Sequence, residues 1–427
     1  MENARADKTE SIPARLVRWI ENRSSAQICI SLYLVALCFR LMILWLTAMH
    51  TPLESDAKIY FDKAVLLTKG AGYVRYWPDS VFRPTANHVP GTSLFLAIGV
   101  LLFGKHEIAG RLMAILISSF SAPLLYRFAR GIGSAFPAVL AGLCCALYPT
   151  WAFYSVNTLS EPFLMPLLLL ALIATHRAFE SSSLAVSLGA GLAWGAATLV
   201  RPVVVPMTGL VALYFVGRGK WKRGFVLGFG FLAILTPWLV RNYMVFGRLL
   251  LANQGGEVFL GSNNPYILQT PKNYGMWIAP REIPEYREKL DGVRDEITEN
   301  TVEKNLAMDY LHRNPKDIPR LVYYKLERWL TPITDTGGGV RILVLASYGM
   351  LLILLFVGLF RGVYRSSIDL HLVLIWTFVL IGITVVYWGI LTRGRLLLEL
   401  VWLPWACLTV WDIAKRMLRL DSAAGSR

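Results

Sequence analysis

Ten apolar runs constrain the fold of this chain more than any other feature of its sequence. A helix that crosses the hydrocarbon core of a bilayer needs about 20 apolar residues. Charged residues make up only 17% of the chain, against roughly 25% in soluble domains, so a water-soluble globular protein is excluded. The sequence predicts an all-α polytopic integral membrane protein with about ten transmembrane helices. These runs lie at about 27–48, 108–126, 135–156, 162–176, 184–200, 202–217, 224–240, 340–360, 369–391 and 396–413.

The distribution of Lys and Arg decides how an eleventh apolar run, 89–103, is placed. If this run stays on the outer side, the basic residues of the N-terminus and of the turns between later spans all fall on the cytoplasmic side, as in most membrane proteins. If it crossed, the basic cluster at 218–223 would lie outside. We therefore expect 89–103 to be a juxtamembrane or re-entrant helix on the outer face. Both termini are then cytoplasmic.

The predicted spans divide the chain into segments of different character. The long outer loops are expected to carry the functional site, because loops beyond about 15 residues are usually functional. The net charge of +15 comes from residues that flank spans, so no nucleic-acid partner is expected. The five cysteines all lie in apolar runs and indicate neither a disulfide frame nor a metal site. The segments are a cytoplasmic N-terminal segment (1–26), a transmembrane core (27–245) with an outer loop at 49–107, an outer-face loop domain (246–339), C-terminal transmembrane helices (340–413) and a cytoplasmic tail (414–427).

The first outer loop contains a carboxylate suited to acid–base chemistry. Ser55 is a natural N-cap for a helix whose apolar face includes Tyr60. Asp56 would then lie in the first turn, where the helix dipole favours an ionised carboxylate. A positioned, ionised carboxylate can act as a general base. The alternative is that Asp56 only caps the helix. Glu54 is the neighbouring carboxylate and the next candidate.

Arg83 and His88 precede a Val-Pro-Gly turn that leads into the run at 89–103. Cations at the depth of lipid headgroups pair well with phosphate. These two side chains are therefore candidates for phosphate binding. Anchoring of the loop in the membrane interface is the alternative.

An isolated acid and an isolated base interrupt the apolar spans. Glu161 begins the apolar run at 162–176, and Arg201 lies between the runs at 184–200 and 202–217. Ionisable residues at such depth are costly and are functional candidates by default. The alternative for Glu161 is a simple helix start. The partner of Arg201 is expected to be Glu161, Asp56 or a ligand phosphate.

Further polar residues follow the seventh span and the ninth. Arg241 and Asn242 belong to the sequence PWLVRNY, and Asn263 belongs to GSNNP. The glycine-rich stretches at 255–256 and 261–265 suggest turns in a loop that lies over a site, although ordinary turns have the same composition. Arg393 and Arg395 lie at the outer end of the ninth span, against the positive-inside tendency. We expect them to have a specific anionic partner.

This ordered set of motifs resembles the GT-C glycosyltransferases, in particular the bacterial branch related to protein O-mannosyltransferases and aminoarabinose transferases. The resemblance covers about residues 27 to 400. It rests on an early outer-loop Asp followed four residues later by Tyr, a Pro-Gly turn into a short apolar helix, LSEP at an outer helix end, RP between spans, PWxxRNY followed by GG and GxNNP, and a late outer RxR.

The resemblance implies an integral-membrane glycosyltransferase of the cytoplasmic (inner) membrane. Such an enzyme moves a sugar, usually with inversion, from a polyprenyl-phosphate donor to a hydroxyl of a lipid, glycan or protein acceptor on the periplasmic or extracellular face. The family's catalytic Asp corresponds to Asp56 and its second outer acid to Glu161. Its phosphate-binding cations correspond to Arg201, Arg241 and Arg393, and less directly to Arg83 and His88. Substrate contacts are further expected from Glu54, Tyr60, Asn242, Asn263 and Arg395.

Two other classes of protein stay open at this stage. One is an O-antigen polymerase or ligase, which also has many spans and a large outer loop. The other is a non-enzymatic flippase or transporter of lipid-linked sugar. The sequence names no cofactor, although a divalent metal is compatible with it. The identity of the sugar and of the acceptor is not encoded in any motif.

Overall fold

The computed structural model describes residues 12–77, 81–331, 339–387 and 392–417. The helices of the first part of the chain are α1 (Ile12–Glu21), α2 (Ser25–Ile43), α3 (Ser55–Thr68), α4 (Gly91–Phe103), α5 (Glu107–Ser119), α6 (Ser121–Ile132), α7 (Ala135–Leu147), α8 (Pro149–Ser155), α9 (Glu161–Glu180), α10 (Leu184–Val200), α11 (Val204–Gly217) and α12 (Trp221–Phe246). A short antiparallel hairpin lies in the first outer loop. Its strands are β1 (Val74–Tyr76) and β2 (Phe82–Pro84).

The second long loop folds into helices of its own before the chain returns to apolar spans. A π-helical turn, Leu44–Ala48, extends α2, and another, Leu345–Gly349, joins α17 to α18. The remaining helices are α13 (Gly255–Ser262), α14 (Pro284–Leu290), α15 (Glu296–Arg313), α16 (Ile318–Leu330), α17 (Gly339–Val344), α18 (Met350–Phe360), α19 (Ile368–Val386) and α20 (Thr392–Met417).

The predicted all-α membrane architecture is confirmed, whereas the predicted number of spans is not settled. Within the described residues, seven helices are long and apolar enough to cross a membrane, or eight if α7 and α8, bent by 52°, form one span. The helices α10 and α11 have 17 and 14 residues. At 1.5 Å per residue they are about 25 and 21 Å long, against a hydrocarbon core of about 30 Å. The count of ten therefore stays a prediction.

The Val-Pro-Gly turn of the first loop places α4 against the end of α10. Pro90 is the residue before the helix, and Gly91 is its first residue. A β-carbon on Gly91 would lie 2.5 Å from the carbonyl oxygen of Leu199. Only glycine permits so close an approach of two backbones. The turn thus fixes α4 beside the segment that leads to Arg201.

Small residues serve the packing of the spans. A β-carbon on Gly191 would lie 2.0 Å from the carbonyl oxygen of Leu227, so α10 and α12 meet almost backbone to backbone. Close contact at small residues is the usual means of helix association in membranes. Fully buried tryptophans, such as Trp151 and Trp194, fill the wider gaps of the bundle.

The outer-face loop domain differs in one respect from its sequence-based description. Its later part forms α14, α15 and α16. The glycine pair at 255–256, which suggested a turn, instead begins α13. A β-carbon on Gly256 would lie 2.1 Å from the carbonyl oxygen of Asn300. The pair therefore allows α13 to pack closely on α15.

The placement of α4 can be tested by cysteine labelling. Lys105 follows α4, and we expect Lys105→Cys to react from the outer side with a membrane-impermeant maleimide in intact cells. Lys222→Cys lies in a basic turn and should react only after permeabilisation. The parent protein is the control, because its cysteines lie within apolar helices. Labelling of residue 105 from the cytoplasm alone would contradict the topology.

Candidate functional site

A cavity of about 830 Å³ lies where the first turn of α3 meets the end of α10 and the helices of the second loop. We call it the main cavity. The ends of α16, α19 and α20 also reach its wall. Three residues predicted from sequence, Glu54, Asp56 and Arg201, share this space. The residues that matter for its chemistry are Glu54, Asp56, Arg201, Gln254, Glu257 and Trp329.

The start of α3 differs from the predicted cap and is strained. The helix begins at Ser55, preceded by Glu54, whose side chain makes no capping hydrogen bond. The prediction that Ser55 is the N-cap is therefore wrong. Ser55 has a φ of 50°, in the left-handed region that costs a residue other than glycine about 1–2 kcal/mol. Such strain is concentrated at functional sites, and here it presents Asp56, in the first turn as predicted, to the main cavity.

Glu161 and Arg201 form a buried ion pair. Glu161 is fully buried at the first position of α9, and Arg201, which follows α10, is 13% exposed at its side chain. Nη1 of Arg201 donates to Oε1 of Glu161, and the Ser160 hydroxyl donates to Oε2 at 3.3 Å. Of the partners left open by the sequence, Glu161 is the one in contact. Arg201 lines the main cavity, whereas Glu161 is not among its lining residues.

Tyr60 and His88 do not line the main cavity and contact each other outside it, together with a lysine that sequence analysis missed. The ring of Tyr60 contacts that of His88 edge-on, with 4.8 Å between centroids. Nζ of Lys63 lies 3.3 Å from Nδ1 of His88, and Lys63 is only 2% exposed. Lys63 follows Asp56 by seven residues, which places both on one face of α3. That spacing was the signal available in the sequence.

The pKa of Lys63 is lowered from its ordinary value of 10.5 to about 7. Burial is the largest cause, and the charge of Arg75 adds to it. The carboxylates of Glu296 and Asp56 act in the opposite direction. A buried ammonium loses hydration that its neighbours replace only in part. Lys63 therefore titrates near neutral pH.

Arg83 and Arg241 lie outside the main cavity and support the first loop. Arg83 lies 5.4 Å from the ring of Trp77 in the hairpin. Arg241 donates to the carbonyl oxygens of Thr85, at 2.8 Å, and Tyr73, at 2.9 Å. These contacts tie the hairpin to the end of α12 and favour a structural role for Arg241 over the predicted phosphate contact.

Asn242 and Asn263 are similarly used within the protein. Asn242 accepts from Arg241 and donates to the Leu250 carbonyl at 2.7 Å. Asn263 accepts from Nζ of the buried Lys325 at 2.9 Å and donates to the Val386 carbonyl at 3.1 Å. The contacts of Asn263 join α13, α16 and the end of α19. Neither asparagine is among the residues that line the main cavity.

Arg395 has the specific anionic partner that its position predicted. Its Nε donates to Glu399 at 2.7 Å, one turn along α20, and Nη1 donates to the Thr331 carbonyl at 2.9 Å. The guanidinium also lies 4.0 Å from the ring centre of Tyr348. The partner is thus a protein carboxylate, and Arg395 is not itself in the wall of the main cavity. The side chain of Arg393 lies outside the described part of the chain.

The main cavity contains carboxylates but no assembled metal site. Within the part of the chain that the structure describes, no three His, Cys, Asp or Glu side chains are placed to hold a metal ion.

The sequence and the structure are similar to those of known membrane proteins. Residues 87–241 match the model of the dolichyl-phosphate-mannose-protein mannosyltransferase family. The structure is similar to the apo oligosaccharyltransferase of Archaeoglobus fulgidus, with a TM-score of 0.58 and 14% identity over 96% of this chain and 53% of that one. The same enzyme, AglB, in complex with an inhibitory peptide and a dolichol-phosphate gives 0.55, again with 14% identity and coverage of 96% and 53%. The present chain thus spans about half the length of that protein.

A third structural match has a lower TM-score. ArnT from Cupriavidus metallidurans bound to undecaprenyl phosphate has 16% identity over 90% of this chain and 78% of that one, with a TM-score of 0.43. A TM-score below 0.5 does not establish a shared fold. No curated protein matches the sequence significantly.

The architecture has the GT-C fold of the archaeal oligosaccharyltransferase, and the family model matches residues 87–241, which is less than half of the chain. The matched residues 87–241 include the Gly91 turn, Glu161 and Arg201, and end at Arg241. The predicted resemblance is therefore confirmed at the level of the fold.

The ion pair of Glu161 and Arg201 should stabilise the protein before any ligand binds. We expect Glu161→Gln or Arg201→Gln to lower the free energy of unfolding by about 3–5 kcal/mol, because each leaves a buried charge without its partner. The double variant should cost less than the sum of the two. Unfolding in detergent measures both. Arg361→Gln is the control, since its 2.7 Å pair with Asp412 is partly exposed and worth at most about 1 kcal/mol. Equal losses of unfolding free energy in Glu161→Gln and Arg361→Gln would contradict a stabilising role for the buried ion pair.

The shifted pKa of Lys63 predicts a pH-dependent difference in stability. Between about pH 7 and the ordinary value of 10.5, the unfolded chain binds more protons at this lysine than the folded chain, so this group makes stability rise with pH. Lys63→Met has no titrating group at this position, so it lacks this pH-dependent contribution to stability. The unfolding midpoint of Lys63→Met should therefore exceed that of wild type by the largest margin at low pH. This margin should shrink above pH 7. Unfolding midpoints across this range measure the difference, and an advantage that is constant with pH would contradict the assignment.

Proposed function

We propose that this protein transfers a sugar from a polyprenyl-phosphate donor to a hydroxyl acceptor on the outer face of the cytoplasmic membrane. The observation that carries the proposal is the main cavity, which brings the Asp56 carboxylate and the Arg201 guanidinium together in one space. A carboxylate and a cation in a shared cavity are the minimum needed to activate a hydroxyl and to stabilise a departing phosphate. The acceptor is a lipid, a glycan or a protein.

Arg201 is suited to the phosphate of the donor. A guanidinium has five N–H donors in a fixed plane, so it can contact a phosphate oxygen while Nη1 remains on Glu161. Glu161 then acts as a positioning residue, because it fixes the guanidinium and does not line the cavity. The archaeal oligosaccharyltransferase of similar fold was solved with a dolichol-phosphate, which supports a lipid-phosphate ligand here.

Asp56 is suited to activate the acceptor. Its carboxylate takes the proton of the acceptor hydroxyl as that oxygen bonds to the anomeric carbon of the sugar. The bond between the anomeric carbon and the phosphate oxygen breaks, and polyprenyl phosphate leaves with the electron pair. A single displacement of this kind inverts the configuration of the anomeric carbon. The phosphate is a good leaving group, so charge stabilisation by Arg201 replaces general-acid catalysis at that oxygen.

Substitution of Asp56 tests the proposal directly. Asp56→Asn keeps the shape of the side chain and removes the base, so we expect transfer to slow by about two to four decades. The assay uses purified protein and a radiolabelled polyprenyl-phosphate sugar, and follows the release of polyprenyl phosphate. Binding of the donor and the unfolding midpoint should stay close to wild type.

Asp62→Asn is the matched control. Asp62 lies on the same helix, forms an exposed pair with Lys58 at 3.4 Å and is not in the wall of the main cavity. It should transfer at the wild-type rate. If Asp56→Asn transfers sugar near the wild-type rate, Asp56 is not the general base, and Glu54 is the next candidate. A flippase would move the donor across the membrane without releasing polyprenyl phosphate, so the same assay separates the two functions.

A further inference from the structure

A second, smaller cavity adjoins the main cavity and has a different chemical character. It has a volume of about 250 Å³ and lies between the hairpin and the helices α13 and α15. We call it the small polar cavity. Glu257 and Ala279 line both cavities, so the two are direct neighbours. The polar residues of its wall that matter here are Asn87, Glu257, Glu296, Glu299, Asn300 and Glu303.

Two of the four glutamates have structural partners. Glu296 accepts from the Thr85 hydroxyl at 2.7 Å and from the backbone N–H of Ala86 at 2.6 Å. Glu299 pairs with Arg75 at 2.8 Å and with Arg281 at 2.5 Å. These contacts hold the first loop against the second. They account for Glu296 and Glu299 without any ligand.

Glu303 has no such explanation. It is 4% exposed, it lies in the wall of the small polar cavity, and within the described residues it has neither a hydrogen bond nor an ion pair. Its carboxyl oxygens are not among the fully enclosed unpaired side-chain atoms, so they open onto the cavity, where an occupant can supply the hydrogen bonds that buried polar groups normally make. Burial and the nearby charge of Glu257 raise the pKa of Glu303 to about 8. At neutral pH the group is then mainly a carboxylic acid, which can donate one hydrogen bond and accept others.

The wall of the small polar cavity selects the chemistry of its occupant. Apart from Ala279 and Pro280 its lining is polar, so a lipid chain is disfavoured. The glutamates repel a phosphate, and the guanidinium groups of Arg75 and Arg281 repel a cation. Carboxyl and carboxamide groups together bind neighbouring hydroxyls, because each offers a planar set of donors or acceptors. At about 30 Å³ per water, the space holds roughly eight waters, which suits one sugar ring.

We propose that the small polar cavity binds the sugar of the donor, a neutral, hydroxyl-rich monosaccharide unit, and that Glu303 is its main hydrogen-bonding partner. The inference rests on the proposed function, since it assumes a lipid-phosphate donor in the main cavity. Glu257 lies at the junction of the two cavities and contacts the same ring from the side of Asp56. The sugar is thus recognised by residues of the second loop, and the phosphate by Arg201.

The test compares two kinds of lipid on the purified full-length protein in nanodiscs. One is bare decaprenyl phosphate, and the other is a panel of glucosyl, mannosyl, galactosyl and arabinosyl decaprenyl phosphates. Wild type should bind at least one glycosylated form about tenfold more tightly than the bare lipid, the effect of one or two buried hydrogen bonds. Glu303→Leu should lose this advantage and keep its affinity for the bare lipid. Glu303→Gln, which retains hydrogen bonds, should keep part of the advantage.

The controls separate folding from recognition. Binding of the bare lipid shows that Glu303→Leu is folded, and its unfolding midpoint should equal or exceed that of wild type, because an unpaired buried carboxyl has been removed. Glu288→Gln, on the exposed side of α14, should behave as wild type. If Glu303→Leu keeps the full advantage of the glycosylated lipid, or if wild type shows none, the assignment of this cavity is wrong while the proposed function stands. If wild type fails to bind even bare decaprenyl phosphate, both are wrong.

Discussion

The buried ion pair of Glu161 and Arg201 is the interaction on which the site depends. A guanidinium in the apolar part of a membrane protein needs a fixed anionic partner, and Glu161 provides it from the first turn of α9. The pair joins the start of α9 to the end of α10 and leaves one edge of Arg201 at the main cavity. Gly91 then brings α4 against the same end of α10. The position of the cation that shares the main cavity with Asp56 is therefore set by buried contacts.

Several cations outside the main cavity hold parts of the protein together, and Arg241, which the resemblance assigned to phosphate, is one of them. Arg241 holds backbone carbonyls of the first loop, and Arg395 pairs with Glu399 within α20. Lys325, buried in α16, joins the second loop to the end of α19. Arg241, Arg395 and Lys325 thus fix the loops and helix ends that surround the site. The loops can then present glutamates and asparagines to the small polar cavity without collapsing onto it.

The helical membrane architecture could be predicted because length and hydropathy decide it locally. The same holds for Asp56, whose place in a first turn follows from the neighbouring residues. The strained φ of Ser55 and the helix that begins at Gly255 could not be predicted, because they follow from the packing of separate loops. Lys63 meets His88, 25 residues away, and Glu303 joins Glu257 only through the fold of the second loop. Contacts of that kind leave no periodic signal in the sequence.

The central claim is that the lipid phosphate lies in the main cavity between Arg201 and Asp56. A cryo-EM structure of the protein in nanodiscs with decaprenyl phosphate tests it most directly. The account predicts phosphate density within hydrogen-bonding distance of the Arg201 guanidinium, with Arg201 still paired to Glu161 and the lipid chain leaving the cavity away from Glu303. Phosphate density at another group of cations, such as Arg83 beside Trp77, with the main cavity unchanged, would contradict it.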